Sequence, residues 1–192
     1  MNKKTDVKKI VLGAILTALV VILQYMGSFI HLGYFSISLV LVPIVIGAAT
    51  CGASIGAWLG FIFGVVVLIS GDAAAFLAID IPGTVLTVML KGTLCGLCAG
   101  LVYKAIENKN KYVAVIASAI VCPLVNTGVF LLGSVVFFLD TLAQWGKAFG
   151  YPSTVNYIFF GLVGGNFLFE LATNIILSPV ILRLLNIKKR LG

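Results

Sequence analysis

The sequence predicts an all-α membrane protein: a bundle of six transmembrane helices built from a single integral-membrane domain over residues 1–192. Three observations carry this. First, 61% of the 192 residues are hydrophobic and only 10% are charged, with a mean hydropathy of +1.18, more apolar than a water-soluble domain of this size. Second, apolar runs suited to a hydrocarbon core about 30 Å thick recur along the chain, separated by short polar turns. Third, eleven of the thirteen Lys and Arg residues fall into three clusters: Lys3, Lys4, Lys8 and Lys9; Lys104, Lys109 and Lys111; and Arg183, Lys188, Lys189 and Arg190. Each cluster borders an apolar run, which places both termini on the cytoplasmic side by the positive-inside rule. The net charge of +7 is thereby a signal of membrane orientation, and no nucleic-acid partner is expected. The polar stretches are too short to form a separate catalytic module.

The spans follow in order. The first covers about 10–26. The basic start before it resembles a signal peptide but lacks a convincing small-x-small cleavage site, so it reads as a retained helix. Gly13, Ala14, Thr17 and Ala18 give it a small-residue face that lets another helix approach closely. His31, in the loop that follows, reads as a surface residue. The second span covers about 37–50, with a kink expected at Pro43. The third covers about 53–69. Gly52, Gly56, Gly60 and Gly64, at four-residue intervals, form a glycine face for tight backbone contact.

The segment Ser70–Thr84 contains Asp72 and Asp80 and no cation, so it belongs outside. Its apolar centre suits a lid over the bundle mouth or an interfacial helix. The fourth span covers about 85–106, and its own glycine row, Gly92, Gly96 and Gly100, is placed to face span three. Lys91 lies about two turns in from the outer end of that span. Two positions are open to it: snorkelling outward, or facing the interior, where Glu170 needs a partner. The fifth span covers about 112–138. Pro123 near Asn126 and Thr127 is expected to break a turn there, a feature that suits a substrate site. Trp145, Phe149 and Tyr151 lie in an expected outer loop, Asp140–Thr154, either as interface anchors or as lid aromatics. The sixth span covers about 156–185.

The stretch Gly161–Pro179 is apolar except for Asn166, Glu170 and Asn174, spaced four residues apart and so stacked on one helix face. Asparagines alone would serve as interhelical glue, but an ionisable group at membrane depth marks a functional interior. The chain has no phosphate-binding G-x-x-x-x-G-K-[ST] loop and no H-E-x-x-H. Cys95 and Cys98 form a lone C-x-x-C within an apolar span and read as packing residues. What remains is a polar pocket of Lys91, Asn126, Thr127, Asn166, Glu170 and Asn174, suited to a small ligand bearing hydroxyl, amide or carboxylate groups. No catalytic residue, cofactor or metal is expected.

Over nearly its whole length the chain resembles the S components, the substrate-binding membrane subunits of energy-coupling factor (ECF) vitamin transporters. The resemblance rests on the alanine-x-x-x-alanine of Ala14 and Ala18, on SLVLVPIVIGAATCGASIGAWLGFIFG at Ser38–Gly64, and on GGNFLFELATNIILSPVI at Gly164–Ile181. It implies a multi-pass subunit of the bacterial plasma membrane that captures a water-soluble vitamin from outside. It also implies docking, through Ala14 and Ala18, on a transmembrane coupling protein served by two ATPases. The substrate site would be the outer part of helices four to six with the outer loops, where Asp80, Trp145 and Tyr151 are candidate lid residues. The chain looks closest to the pantothenate-type branch, with Lys91 on the vitamin carboxylate and Asn126, Asn166 and Glu170 on its hydroxyls and amide. Riboflavin is the runner-up. The alternatives from other classes are an autonomous secondary transporter with Glu170 as proton carrier, which six helices without a repeat make less natural, and an integral-membrane enzyme or assembly subunit.

Overall fold

The computed structural model describes the backbone of residues 3–29, 31–32, 35–36 and 39–190, and the side chains of 7–27 and 39–183. The side chains of His31, Lys3, Lys4, Lys188, Lys189 and Arg190, read above as surface or orientation signals, lie outside the described residues. Helix α1 spans Lys3–Phe29. It is followed by a two-residue antiparallel pair, β1 (His31–Leu32) and β2 (Phe35–Ser36). Then come α2 (Leu41–Cys51), α3 (Ala53–Ser70), the single turn α4 (Ala74–Leu77), α5 (Ile81–Ile106) and α6 (Lys111–Ala148). The last helical stretch opens with α7 (Thr154–Asn156), passes through a π-helical segment at Tyr157–Val163, and continues as α8 (Gly164–Arg190). Among the described residues, five helical segments are long and apolar enough to cross a membrane: Val7–Gly27, Ala53–Ser70, Ile81–Ile106, Lys111–Ala148 and Thr154–Arg183.

The second expected span is shorter than the sequence reading had it. Helix α2 has 11 residues, about 16 Å at 1.5 Å per residue, roughly half of a hydrocarbon core about 30 Å thick. All of its residues except Val42 are buried, so it is a central packing element. Pro43 does not kink it. The helix begins at Leu41, which puts Pro43 in the first turn, where the missing N–H has no intrahelical acceptor to lose. Pro123, too, leaves its helix unbroken: α6 runs continuously for 38 residues, about 57 Å. It therefore absorbs much of the outer loop expected at Asp140–Thr154. Its start is fixed by Asn110, whose side-chain oxygen accepts from the backbone N–H of Tyr112 at 2.9 Å and of Val113 at 3.2 Å.

The two glycine rows meet. A Cβ on Gly60 would collide with the carbonyl of Gly92, and one on Gly56 with that of Gly96; the reverse substitutions collide in the same way. Gly64 continues the seam, where an added Cβ would stand 3.1 Å from the Val88 carbonyl oxygen, and Gly100 closes it against Ala53. Helices α3 and α5 thus touch backbone to backbone, as small residues permit in an apolar medium. Helix α6 is fastened to α5 by Ser118, whose hydroxyl donates to the Ala99 carbonyl at 2.8 Å. It also lies against Thr87, whose side chain fills the space beside Gly133. Helix α1 meets α3 where Trp58 Nε1 donates to Thr17 Oγ1 at 3.2 Å.

Gly52, expected on the glycine face of the third span, is instead the turn between α2 and α3. Its φ of 100° and ψ of 171° lie in a region essentially reserved for glycine. No atom lies within 4 Å of where its Cβ would stand, so a substitution there costs backbone strain alone. Gly52→Ala is expected to lower stability by about 1–3 kcal/mol, read as a lower melting temperature in detergent. Wild-type melting of that variant would contradict the turn.

Candidate functional site

A cavity of about 210 Å³ lies between α3, α4, α5, α6 and the π-helical end of the last helix. Helix periodicity supplies its polar lining. On α5, Thr84, Thr87 and Lys91 are spaced by three and four residues and so share one face; on α6, Phe130 stands one turn beyond the adjacent Asn126 and Thr127; on α8, Asn166 and Glu170 stand one turn apart. All of these line the cavity. Five of the six residues singled out on sequence therefore come together here: Lys91, Asn126, Thr127, Asn166 and Glu170. Asn174 does not line it. One turn further along α8 it is 1% exposed, and its Nδ2 donates to the backbone carbonyl of Glu170 at 2.8 Å.

Glu170 is 2% exposed. Its Oε1 accepts from Asn166 Nδ2 at 3.4 Å, and Asn126 lines the same cavity. The Asn166 amide thus turns its N–H group toward the carboxyl group. Several oxygens are left over: Asn126 Oδ1, Asn166 Oδ1 and Glu170 Oε2 are all buried without a hydrogen-bond partner, as is Thr87 Oγ1. Buried polar groups in native proteins are nearly always paired, so a cluster of orphaned oxygens beside a cavity is a place built to receive donors. Lys91 Nζ sits against aromatic faces, 5.1 Å from the Phe130 ring centroid and 5.7 Å from that of Phe63. Glu170 and Asp72 line the same cavity.

The sequence reading missed part of this lining. Asp72, assigned to an outer segment, reaches the cavity and accepts a hydrogen bond from Gln24 Nε2 of α1. Phe63, Phe76, Phe130, Phe138 and Phe167 give it aromatic walls. The three-and-four spacing of Thr84, Thr87 and Lys91 was the signal that would have found the α5 face; nothing in sequence joins Gln24 to Asp72.

A second cavity of about 320 Å³ adjoins the first, sharing Phe76 and Leu162 with it. Trp145, Phe149, Tyr151 and Tyr157 line it, so two of the candidate lid residues meet here. Tyr151 and Tyr157 contact edge to face at 5.4 Å, and Phe149 stacks on Tyr157 at 5.8 Å. Phe76, on the single-turn α4, stands between the cavities, with its ring 5.0 Å from Phe138, 5.5 Å from Trp145 and 5.7 Å from Phe130. Asp80 lines neither cavity; it occupies the N-cap of α5, where its carbonyl accepts from the Thr84 hydroxyl at 2.6 Å. Ala14 and Ala18 are exposed on α1, among Val11, Ile15, Leu19 and Ile22. Cys51, Cys95, Cys98 and Cys122 are free thiols, and Cys95 Sγ donates to the Gly92 carbonyl at 3.0 Å.

Compared with known protein families, residues 8–185 match the family described as "ECF transporter, substrate-specific component". No curated protein and no solved structure matches the chain.

Proposed function

The chain belongs to the family of ECF transporter substrate-specific components, multi-pass membrane subunits that bind substrate and leave ATP hydrolysis to separate subunits, and from that premise we propose that it captures a water-soluble vitamin from outside the bacterial plasma membrane. The cavity between α3, α5, α6 and α8 is the proposed site. The observation that carries this is the set of orphaned oxygens around Glu170, beside a cavity walled by helices long and apolar enough to cross a membrane, in a chain with no ATP-binding loop. In this reading the chain crosses the membrane six times as one domain, the short α2 making its passage buried inside the bundle and not against lipid, with both ends and the Lys104–Lys111 turn in the cytoplasm, as the cationic clusters favour.

Docking on a coupling protein with two ATPases is assigned to α1. The exposed Ala14 and Ala18 support this, since they leave a shallow strip among larger apolar side chains. Replacing both by Trp is expected to abolish copurification with the coupling protein while leaving vitamin binding intact; retained copurification would move the docking face elsewhere.

For the cargo, pantothenate is one reading, with its carboxylate on Lys91. It predicts that Lys91→Met weakens pantothenate binding at least tenfold. A second reading is a ring-bearing vitamin such as riboflavin. The phenylalanine walls favour it, as does Asp72, which joins Glu170 to set two carboxylates against one lysine. The deciding experiment is calorimetry on the detergent-purified chain against a panel of water-soluble vitamins. Tight binding of one without any partner supports the capture role. Uptake by the chain alone in sealed vesicles, without ATP, would favour the autonomous transporter.

A further inference from the structure

The inner cavity alone is small for the task. Small-molecule sites span roughly 300–1,000 Å³, and 210 Å³ falls short of that range. The adjoining aromatic cavity, at 320 Å³, brings the combined space within it. The two differ sharply in chemistry. The inner one sets Lys91 and unpartnered oxygens among its phenylalanine walls; the outer one is lined chiefly by aromatic rings. They are separated by the ring of Phe76, carried on a four-residue helix between two loops.

We propose that the two cavities are one bipartite site and that its cargo is a two-part molecule. A flat ring system sits among Trp145, Tyr151 and Tyr157, and a head rich in hydroxyl or N–H donors reaches Asn126, Asn166 and Glu170. This rests on the capture role proposed above and narrows its substrate class. Aromatic side chains prefer offset-stacked and edge-to-face partners, and a planar ring entering the outer cavity meets both arrangements there. Donors on the head would satisfy Asn126 Oδ1, Asn166 Oδ1 and Glu170 Oε2 and recover the cost of burying them unpaired. Phe76 is then the partition that the ligand displaces or threads past.

Gly161 keeps the outer cavity open. It lies on the π-helical segment, and a Cβ there would stand 2.8 Å from the Tyr157 ring and 2.9 Å from the Tyr151 hydroxyl. A larger side chain at this position fills the proposed ring subsite without touching the acceptors of the inner cavity.

The test is equilibrium binding to the full-length purified chain of riboflavin, thiamine and pyridoxamine, which join a ring to a donor-bearing head, and of pantothenate, which has no ring. Copurification with an ECF coupling protein is scored in parallel. At least one ring-bearing probe is expected to bind at least tenfold more tightly than pantothenate. Gly161→Leu and Tyr151→Leu, each checked for a monodisperse elution profile, are expected to weaken that probe at least tenfold. Tightest binding of pantothenate overturns the two-part class while leaving the capture role standing. Unchanged affinity in both variants overturns the ring subsite. No binding by any probe overturns the proposal, and loss of copurification as well would bring down the capture role with it.

Discussion

Glu170→Gln is expected to weaken binding of whichever vitamin the wild type takes by about 10–100-fold. A hydrogen bond to a charged group contributes about 1.5–3 kcal/mol, and 1.4 kcal/mol is a factor of ten in affinity. The effect reaches beyond the one side chain. Asn166 points its N–H toward the carboxyl group, and its own carbonyl oxygen is left without a partner. A glutamine brings its own N–H₂ donors into that cluster, so donor would face donor unless an amide turns over. Either arrangement changes the acceptor pattern offered to the cargo. The measurement is the dissociation constant of the variant beside its melting temperature. Wild-type affinity in a well-folded Glu170→Gln protein would remove Glu170 from the binding machinery.

Gly60→Leu is expected to abolish the folded protein. Its Cβ would occupy the position of the Gly92 carbonyl, and a backbone atom, unlike a side chain, has no rotamer to retreat into. Overpacking typically costs about 1–3 kcal/mol where side chains can shift; here two helices must separate along their whole seam. Gly128→Ala is the matched control. That glycine has nothing within 4 Å of its added Cβ, so alanine there should leave stability unchanged or raise it by up to about 1 kcal/mol through helix propensity. Detergent-extracted yield and melting temperature read both variants. Normal yield of Gly60→Leu would contradict the seam.

The residues that sequence located best were those with periodic spacing. The four-residue rhythm of Gly56, Gly60 and Gly64 against Gly92, Gly96 and Gly100 marked the seam, because a glycine row in an apolar helix has few other uses. Asn166 and Glu170 were legible for the same reason. Asn174 shares their face, but spacing fixes only the face and not where the cavity ends along it, and Asn174 falls one turn beyond. Gly52 fits the glycine rhythm equally well yet is a turn, a distinction that depends on φ. Pro43 was misjudged because the start of α2 lacks a side-chain cap to announce it. The helix beyond Asp140 was hidden by Gln144, Trp145 and Lys147, whose mixed polarity reads as loop. The Gln24–Asp72 contact joins residues 48 positions apart, with one polar atom on each side and no pattern to connect them.

The glycine seam also has a mechanical consequence. Two helices whose peptide groups interlock cannot roll or slide on each other without collision, so α3 and α5 form one jaw of fixed shape. Phe63, Thr87 and Lys91 ride on it. Asn126 belongs to α6, Asn166 and Glu170 to α8, and Phe76 to the short α4. Whatever motion admits a ligand must therefore be carried by these other walls, and the separation between Lys91 and Glu170 measures how far the jaws stand apart.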